Sequence, residues 1–275
     1  MKDLVIVGPV HSTDLWLRES GASIVAQPAP GVLRLVGSSG DPALIDRAHA
    51  EGLDAFFSDP PWRRSDFKLL AMDMDSTLIT IECIDEIADM AGLKPRVAEI
   101  TAAAMRGELD FPASLRARVA LLKGLPVESL ARVYHERLRL SPGAEALLAG
   151  ARNAGWTTLL VSGGFTYFTD QLQSRLGLDH TLSNTLECQH GHLTGRVLGD
   201  IVDGTAKAAR VASACRDLGC ATHQAIVVGD GANDLPMLRI AGLSVAYKAK
   251  PVVRRETHIT IQHGGLDVLL HRFDA

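Results

Sequence analysis

The sequence has few cysteines for its length, with four in 275 residues. That number is too small for the disulfide framework typical of short secreted proteins. Cys215 and Cys220 lie close to His223, but their spacing matches no familiar zinc pattern and a fourth ligand is missing. We therefore interpret the cysteines as ordinary thiols and predict no zinc site.

Long apolar runs and an excess of basic residues are also missing. No apolar run approaches the ~18 residues of a membrane span, and the first residues do not form a basic-then-apolar leader. We therefore expect a soluble cytoplasmic protein with no membrane partner. The formal net charge is -4, which gives no basic field for nucleic acid. A hydrophobic content of 47% is ample for a buried core, and the expected partner is a small molecule.

One stretch stands out because an apolar run ends in carboxylates. Residues 69–72 are apolar and are followed by Asp73 and Asp75, then by Ser76 and Thr77. This pattern is typical of a buried parallel strand whose carboxyl end faces a ligand crevice. If the strand continues, both aspartates point to one side, where crowded carboxylates would need a cation. Alternatively, they cap the next helix.

Three later clusters favour the ligand site over simple capping. An apolar strand at 156–161 ends at Ser162 and two glycines, which permit close backbone approach to an anion at a helix start. Lys207 lies in the first turns of a helix that begins near residue 203. A further buried strand at 225–228 precedes Asp230, Asn233 and Asp234. These groups meet at one sheet edge if the fold is a Rossmann-like α/β sheet.

Residues 1–66 are predicted to form a small α+β domain with the order βαββαβ. The layout resembles ferredoxin-like and ACT-type regulatory modules, and a packing or homodimer-forming appendage without a ligand fits as well. Residues 58–65, which contain paired prolines, are the predicted linker to the domain at 67–275.

A helical cap is predicted at about 82–138, inserted after the first core strand, because apolar residues there recur at helical spacing. Such a block would stand over the crevice as a lid. Glu82, Phe111 and Arg118 are its candidate site residues, although surface charge and core packing explain them equally well. Residues 180–197 are expected to form a hairpin, with His190 and His192 as solvated turn residues.

Taken together, these segments resemble the haloacid-dehalogenase-like (HAD) phosphohydrolases, and most closely their phosphoserine-hydrolysing branch. The resemblance covers about residues 67–270. It rests on the Asp-Met-Asp-Ser-Thr segment at 73–77, on Ser162, on Lys207 and on the Gly-Asp-Gly-Ala-Asn-Asp segment at 229–234. Glu82, Phe111 and Arg118 at the family spacing indicate the phosphoserine branch.

The resemblance implies a mechanism. Asp73 would be the nucleophile that forms an aspartyl-phosphate, and Asp75 the general acid and base. Mg²⁺ would lie on the Asp73 carboxylate, the Asp75 carbonyl and Asp230, with Asp234 in support. The substrate-binding residues would be Glu82, Phe111, Arg118, Ser162, Gly163, Lys207 and Asn233. The implied reaction converts O-phospho-L-serine to L-serine, the last step of serine biosynthesis.

Other functions stay open at this stage. A related HAD phosphatase could act on another small phosphomonoester, or a phosphotransferase could pass the phosphoryl group to homoserine. A receiver-type signalling module also phosphorylates an aspartate at a strand end, but it is far shorter and has no lid. A catalytically inactive serine sensor built around the first 66 residues is disfavoured by the intact motifs.

Overall fold

The computed structural model describes residues 2–58 and 62–273, which form two β-sheets flanked by helices. The strands are β1 (Lys2–Val7), β2 (Ile24–Ala29), β3 (Val32–Ser38), β4 (Asp54–Phe57), β5 (Leu69–Met72), β6 (Thr157–Phe165), β7 (His180–Gln189), β8 (His192–Leu198), β9 (Ala225–Gly229), β10 (Leu243–Tyr247) and β11 (Ile259–Ile261). The α-helices are α1 (Thr13–Ser20), α2 (Ala43–Ala50), α3 (Cys83–Met90), α4 (Lys94–Met105), α5 (Phe111–Ala120), α6 (Glu128–Arg132), α7 (Ala144–Asn153), α8 (Thr166–Leu176), α9 (Gly204–Asp217), α10 (Leu235–Arg239) and α11 (Pro251–Arg254). Each helix among these residues is too short or too polar to cross a bilayer.

The amino-terminal sheet is antiparallel and has the strand order β2-β3-β1-β4. Its elements follow the predicted order βαββαβ, the ferredoxin-like arrangement. Leu4 and Ile6 pack with Trp16 of α1, whereas Val5 points to the opposite face and joins the core of the larger sheet. Because Leu4, Val5 and Ile6 are buried on both faces of β1, the strand is apolar without interruption from Leu4 to Val7.

The larger sheet has seven strands in the order β11-β10-β9-β5-β6-β7-β8. All neighbouring pairs are parallel except β7 and β8. The central strands β5 and β9 are buried along their whole length. The predicted α/β fold with a parallel sheet is therefore confirmed, and the strand that precedes Asp73 lies at the centre of the sheet.

The helical cap lies between β5 and β6 and contains α3 to α6, as predicted. Each of its three longer helices buries one apolar face: Ile87 of α3, Val97 of α4, and Leu115 with Val119 of α5 join one cluster. Residues four apart share a helix face, which explains why the apolar spacing predicted this block well.

The predicted hairpin is formed by β7 and β8. Its turn residues His190 and Gly191 both have positive φ, at 51° and 77°, which suits a two-residue turn between right-twisted strands. Both side chains at 190 and 192 are exposed, as expected. The backbone of the hairpin also bonds to the cap. The N–H groups of Val127 and Gly124 donate to the carbonyls of Gly191 and Leu193 at 2.9 and 2.8 Å, and the Leu193 N–H donates to the Leu125 carbonyl at 2.8 Å. The hairpin thus supports the cap.

The two sheets meet through β4 and β11. Asp54 on β4 is 1% exposed, and its carboxylate accepts hydrogen bonds from the backbone N–H groups of residues 262, 263 and 264 at 2.7, 3.2 and 2.6 Å. Val5, Val32 and Phe56 from the small sheet lie in the same apolar cluster as Phe67 of the core. The division of the chain at residue 66 stays a prediction. Residues 59–61 of the expected linker lie outside the described residues.

Candidate active site

Three neighbouring strands bring the polar clusters of the sequence to one sheet edge. β5 pairs in parallel with β6 on one side and with β9 on the other. Their carboxyl ends carry Asp73, Ser162 and Asp230, which line a single cavity of about 780 Å³. This volume suits a small ligand.

The strand does not continue through both aspartates, contrary to one of the geometries considered from sequence. β5 ends at Met72, and the chain then turns tightly, with Ser76 at φ 57°. The Met74 N–H donates to Asp73 Oδ1 at 2.7 Å. The Asp75 carboxylate instead accepts weakly from the Cys83 N–H, at 3.4 Å, at the start of α3. Both side chains still reach the cavity, but from different directions.

Lys207 is completely buried behind Asp73. Its ammonium lies 2.8 Å from Asp73 Oδ1 and 2.8 Å from Asp234 Oδ1. It reaches this position from the first turn of α9, whose start is capped by the Asp203 side chain bonding to the Ala206 N–H. The predicted anion near this lysine is therefore a pair of carboxylates. Lys207 and Asp234 are not on the cavity wall, and they hold the nucleophile candidate from behind.

Asp234 organises the turn that follows β9. Its Oδ2 accepts hydrogen bonds from the Asp230 and Gly231 N–H groups, at 3.1 and 3.0 Å. Thr77 donates to Asp230 Oδ1 at 3.0 Å and so joins the β5 turn to the β9 turn. Asp230 is thereby held close to Asp73, while Asn233 lies on the cavity wall.

The carboxylates of Asp73, Asp230 and Asp234 form a group able to hold a metal ion, since one oxygen from each lies within 4.8 Å of the others. Lys207 contacts two of these aspartates, Asp73 and Asp234. Hard carboxylate oxygens gathered in this way suit a divalent cation such as Mg²⁺. The Asp75 side chain is not in this group, and the role of its backbone carbonyl stays a prediction.

The burial of these acids raises their pKa values. Desolvation, followed by the negative charge of Asp234, raises the pKa of Asp73 well above its usual range. The same two causes raise the pKa of Asp230 to about 7. Desolvation and the neighbouring Glu82 raise the pKa of Asp75 to about 8. Burial alone would lower the pKa of Lys207, but Asp234 and Asp73 raise it above its ordinary value. An acid with a raised pKa is suited to donate a proton near neutral pH.

β6 continues through Ser162, Gly163 and Gly164 to Phe165, instead of ending at residue 161 as expected from the sequence. Its pairing with β7 is irregular there, and we call these three residues the Ser-Gly-Gly turn. The turn is held by a residue that the sequence did not single out. Ser162 is 1% exposed and accepts from the Gly164 N–H at 2.8 Å. The Asn184 side chain donates to the Gly163 carbonyl at 2.8 Å and accepts from the Val202 N–H at 2.8 Å. Asn184 therefore fixes the Ser-Gly-Gly turn from the neighbouring strand β7.

The cap forms the roof of the cavity and contributes the three residues predicted from it. Arg118 lies on the wall with Nε shielded from solvent and without a hydrogen-bond partner among the described residues. Ser76 donates to Glu82 Oε1 at 2.7 Å. Phe111 lies directly against Gly163, where an added Cβ would come within 2.8 Å of the ring. Glycine at 163 is thus required for the close contact between cap and sheet.

Sequence reasoning missed Thr77, Asn184, Asp85 and Lys250. Asp85 and Lys250 line the cavity, and the Lys250 N–H donates to the Asp230 carbonyl at 3.3 Å. The signal for Thr77 was present, since it follows the two aspartates directly. Nothing local marks Asn184 or Lys250, because each reaches the site through a strand pairing or a loop from elsewhere in the chain.

Comparisons with known proteins agree with this geometry. The family model of haloacid dehalogenase-like hydrolases matches residues 70–239. A phosphoserine phosphatase of Polaromonas sp. is 56% identical over 224 residues, which cover 80% of this chain and 95% of that protein.

Two solved structures are similar in fold as well as in sequence. The structure of a probable phosphoserine phosphatase from Vibrio cholerae superposes with a TM-score of 0.86 at 35% identity, over 98% of this chain and 85% of that one. A substrate-bound phosphoserine phosphatase has a TM-score of 0.71 at 38% identity, over 76% of this chain and 99% of that one. The first similarity includes the small sheet.

Proposed function

Because the chain belongs to the haloacid dehalogenase-like hydrolases, and within them to the phosphoserine phosphatases, we propose that it hydrolyses O-phospho-L-serine to L-serine and inorganic phosphate. The reaction would complete serine biosynthesis. One observation carries the proposal: Asp73, held from behind by Lys207, lies at the floor of a cavity whose roof bears Glu82 and Arg118.

The first half-reaction transfers the phosphoryl group to Asp73. Oδ1 of Asp73 is occupied by Lys207 and by the Met74 N–H, whereas Oδ2 accepts no hydrogen bond from the described residues. Oδ2 attacks phosphorus, and the bond from phosphorus to the seryl oxygen breaks. Asp75, whose pKa is raised to about 8, gives its proton to that oxygen, so that serine leaves as a neutral alcohol.

The second half-reaction hydrolyses the aspartyl-phosphate. Asp75, now ionised, takes a proton from a water molecule, whose oxygen forms the new bond to phosphorus. The bond from phosphorus to Asp73 then breaks and inorganic phosphate leaves. Ser162 and Gly163, fixed by Asn184, are placed at the strand end where the phosphoryl oxygens would lie.

The remaining groups of the cavity fit the amino-acid part of the substrate. The guanidinium of Arg118 is largely desolvated, which lowers its pKa, and a carboxylate would supply it with two charge-assisted hydrogen bonds. Glu82 offers a carboxylate to the substrate ammonium. Phe111 closes the space between the cap and the Ser162 turn, and Asn233 faces the phosphate end.

Asp73, the Asp75 carbonyl and Asp230 would hold Mg²⁺, with Asp234 orienting Asp230 through its backbone. When bound, the metal neutralises negative charge between the carboxylates and the phosphate dianion. Lys207 provides a fixed positive charge beside the Asp73 oxygen that does not attack.

The test is phosphate release from O-phospho-L-serine, with Mg²⁺ and with chelator, beside phosphothreonine and sugar phosphates and with or without homoserine. We expect phosphoserine to be turned over best, and only with metal. A preference for a sugar phosphate, or transfer to homoserine in place of water, would contradict the proposal.

The nucleophile assignment is tested by Asp73→Asn. Asparagine keeps an acceptor for Lys207 and Met74, so the fold should persist, while turnover should fall at least ~1,000-fold because the attacking carboxylate is lost. Asp41→Asn, an exposed substitution in the small domain, is the control. Substantial activity in Asp73→Asn would refute the assignment.

A further inference from the structure

A second cavity lies where the small sheet meets the core. Its volume is about 660 Å³, and α2 and β4 of the small domain form one side while α11 and β11 of the core form the other. We call it the junction cleft. It is separate from the active-site cavity, with which it shares no lining residue.

One wall of the junction cleft is rich in cations and hydrogen-bond donors. Arg254 and Arg255, at the end of α11, line it together with His263. The side chain of Arg255 is exposed and has no ion pair or hydrogen bond within residues 2–58 and 62–273. Asp46 is the one acidic residue among the described lining residues.

Two further histidines line the cleft, His258 on the core side and His49 on α2 of the small domain. The Ser244 N–H donates to His258 Nδ1 at 3.1 Å, so the proton of the neutral ring lies on Nε2, which becomes a donor. Nε2 of His49 is shielded from solvent and has no hydrogen-bond partner among the described residues.

The small-domain wall is mostly apolar, with Pro42, Ile45 and Phe56, although it also carries Asp46 and His49 of α2. Small-molecule sites commonly combine such apolar lining with a few convergent polar groups. Asp54 does not compete for the arginines, since its carboxylate is engaged by three backbone N–H groups.

We propose that the junction cleft binds a small organic anion carrying carboxylate or phosphate groups, and that occupancy influences the active site. The connection is short: Lys250 lines the active-site cavity, whereas Pro251, Arg254 and Arg255 of the same segment line the cleft. The Lys250 N–H is also bonded to the carbonyl of Asp230. The second half of this proposal rests on the proposed function, and the first half does not.

Binding is tested on the full-length, metal-free protein by NMR. No described lining residue of the active-site cavity is a histidine, so the imidazole signals of His49, His258 and His263 report on the cleft. Inorganic phosphate and succinate are titrated separately at constant pH. We expect saturable shifts at millimolar concentration, and the tighter of the two probes identifies the anion class.

Arg255→Ala should weaken the binding of the anion at least fivefold, whereas Arg255→Lys, which keeps the positive charge, should retain most of the wild-type affinity. The control is Arg216→Ala, an exposed substitution on α9, which should leave the affinity unchanged. Shifts that do not saturate by 50 mM with either probe, or that are equal in Arg255→Ala, would overturn the site.

The coupling is tested with succinate and phosphoserine. Saturating succinate should change the KM for phosphoserine at least twofold in the wild type, with little change in kcat, and should have no such effect in Arg255→Ala. An unchanged KM while the imidazole signals are saturated would overturn the coupling. If phosphoserine is not turned over at all, the proposed function fails while the NMR result still decides the site.

Discussion

At the scale of single residues, the site shows how one buried cation holds several acids together. Lys207 bridges Asp73 and Asp234, and Asp234 in turn binds two backbone N–H groups of its own turn. Burial, and then the negative charge of a neighbouring acid, raises the pKa values of Asp73, Asp75 and Asp230. A carboxylate cluster of this kind costs stability in the absence of a divalent ion and is retained for chemistry.

His258 provides a pH prediction away from the metal ligands. Burial, and then the charge of Arg272, lowers its pKa below 6.5. As the pH falls, this histidine therefore binds a proton at a higher pH in the unfolded state than in the folded state. Its contribution to the free energy of unfolding is fully present above pH 6.5 and is lost as the pH falls further. His258→Asn should make the loss of unfolding free energy between pH 7.5 and 5.5 smaller than in the wild type.

Urea unfolding at both pH values measures the effect, and His190→Asn is the matched control because its side chain is exposed at the β7–β8 turn. A pH dependence that is the same in His258→Asn and in the wild type would show that the ring carries its proton equally in both states.

At the scale of elements, helix α5 carries both Phe111 and Arg118 into the lining of the cavity, and we propose that it decides substrate choice. Arg118→Ala should raise the KM for phosphoserine about 10–100-fold through loss of the carboxylate contact. p-Nitrophenyl phosphate lacks that carboxylate, so its turnover should change less than about threefold.

Arg116→Ala is the matched control, since Arg116 is an exposed arginine on the same helix and does not line the cavity. Equal losses on both substrates in Arg118→Ala would mean that Arg118 maintains the cap instead of binding substrate.

Strand β7 supports the active site through Asn184. Asn184→Ala removes two buried hydrogen bonds, to the Gly163 carbonyl and from the Val202 N–H. We expect unfolding free energy to fall by about 2–4 kcal/mol and kcat/KM to fall about tenfold as the Ser162 turn loses its position.

Denaturant unfolding and steady-state kinetics together check this expectation. Asn153→Ala at the exposed end of α7 should change stability by less than about 0.5 kcal/mol. If kcat/KM in Asn184→Ala stays at the wild-type value, the turn does not depend on β7.

At the scale of the whole molecule, the small sheet packs directly against the core of the larger sheet. β1 is buried on both faces because its outer face completes the core of the larger sheet. The polar counterpart of that apolar contact is Asp54, which binds the backbone beyond β11. The junction cleft exists only because these two sheets are held edge to edge.

Asp54→Asn tests that attachment. An amide keeps the size of the side chain but replaces one acceptor oxygen with a donor, so at least one of the backbone N–H groups at 262–264 is left unpaired. The free energy of unfolding in urea should fall by about 2–3 kcal/mol. Asp14→Asn, exposed in α1, is the control. A variant as stable as the wild type would show that the apolar contact alone joins the sheets.

The sequence by itself determined the element order, the α/β class, the helical cap and the identity of the acids at the strand ends. These features depend on local periodicity and on short segments such as 73–77 and 229–234. The residue types in those segments indicate their chemistry without knowledge of the tertiary structure. The same reasoning gave the hairpin at 180–197, but not the backbone hydrogen bonds by which it supports the cap.

Only the tertiary structure decided which oxygen of Asp73 is held, where the Asp75 side chain points, and that Asn184 and Lys250 belong to the site. The reason is sequence distance: Thr77 meets Asp230 across 153 residues, and Asp54 meets Gln262 across 208. No local pattern encodes such pairs, because they form only when the whole chain is packed.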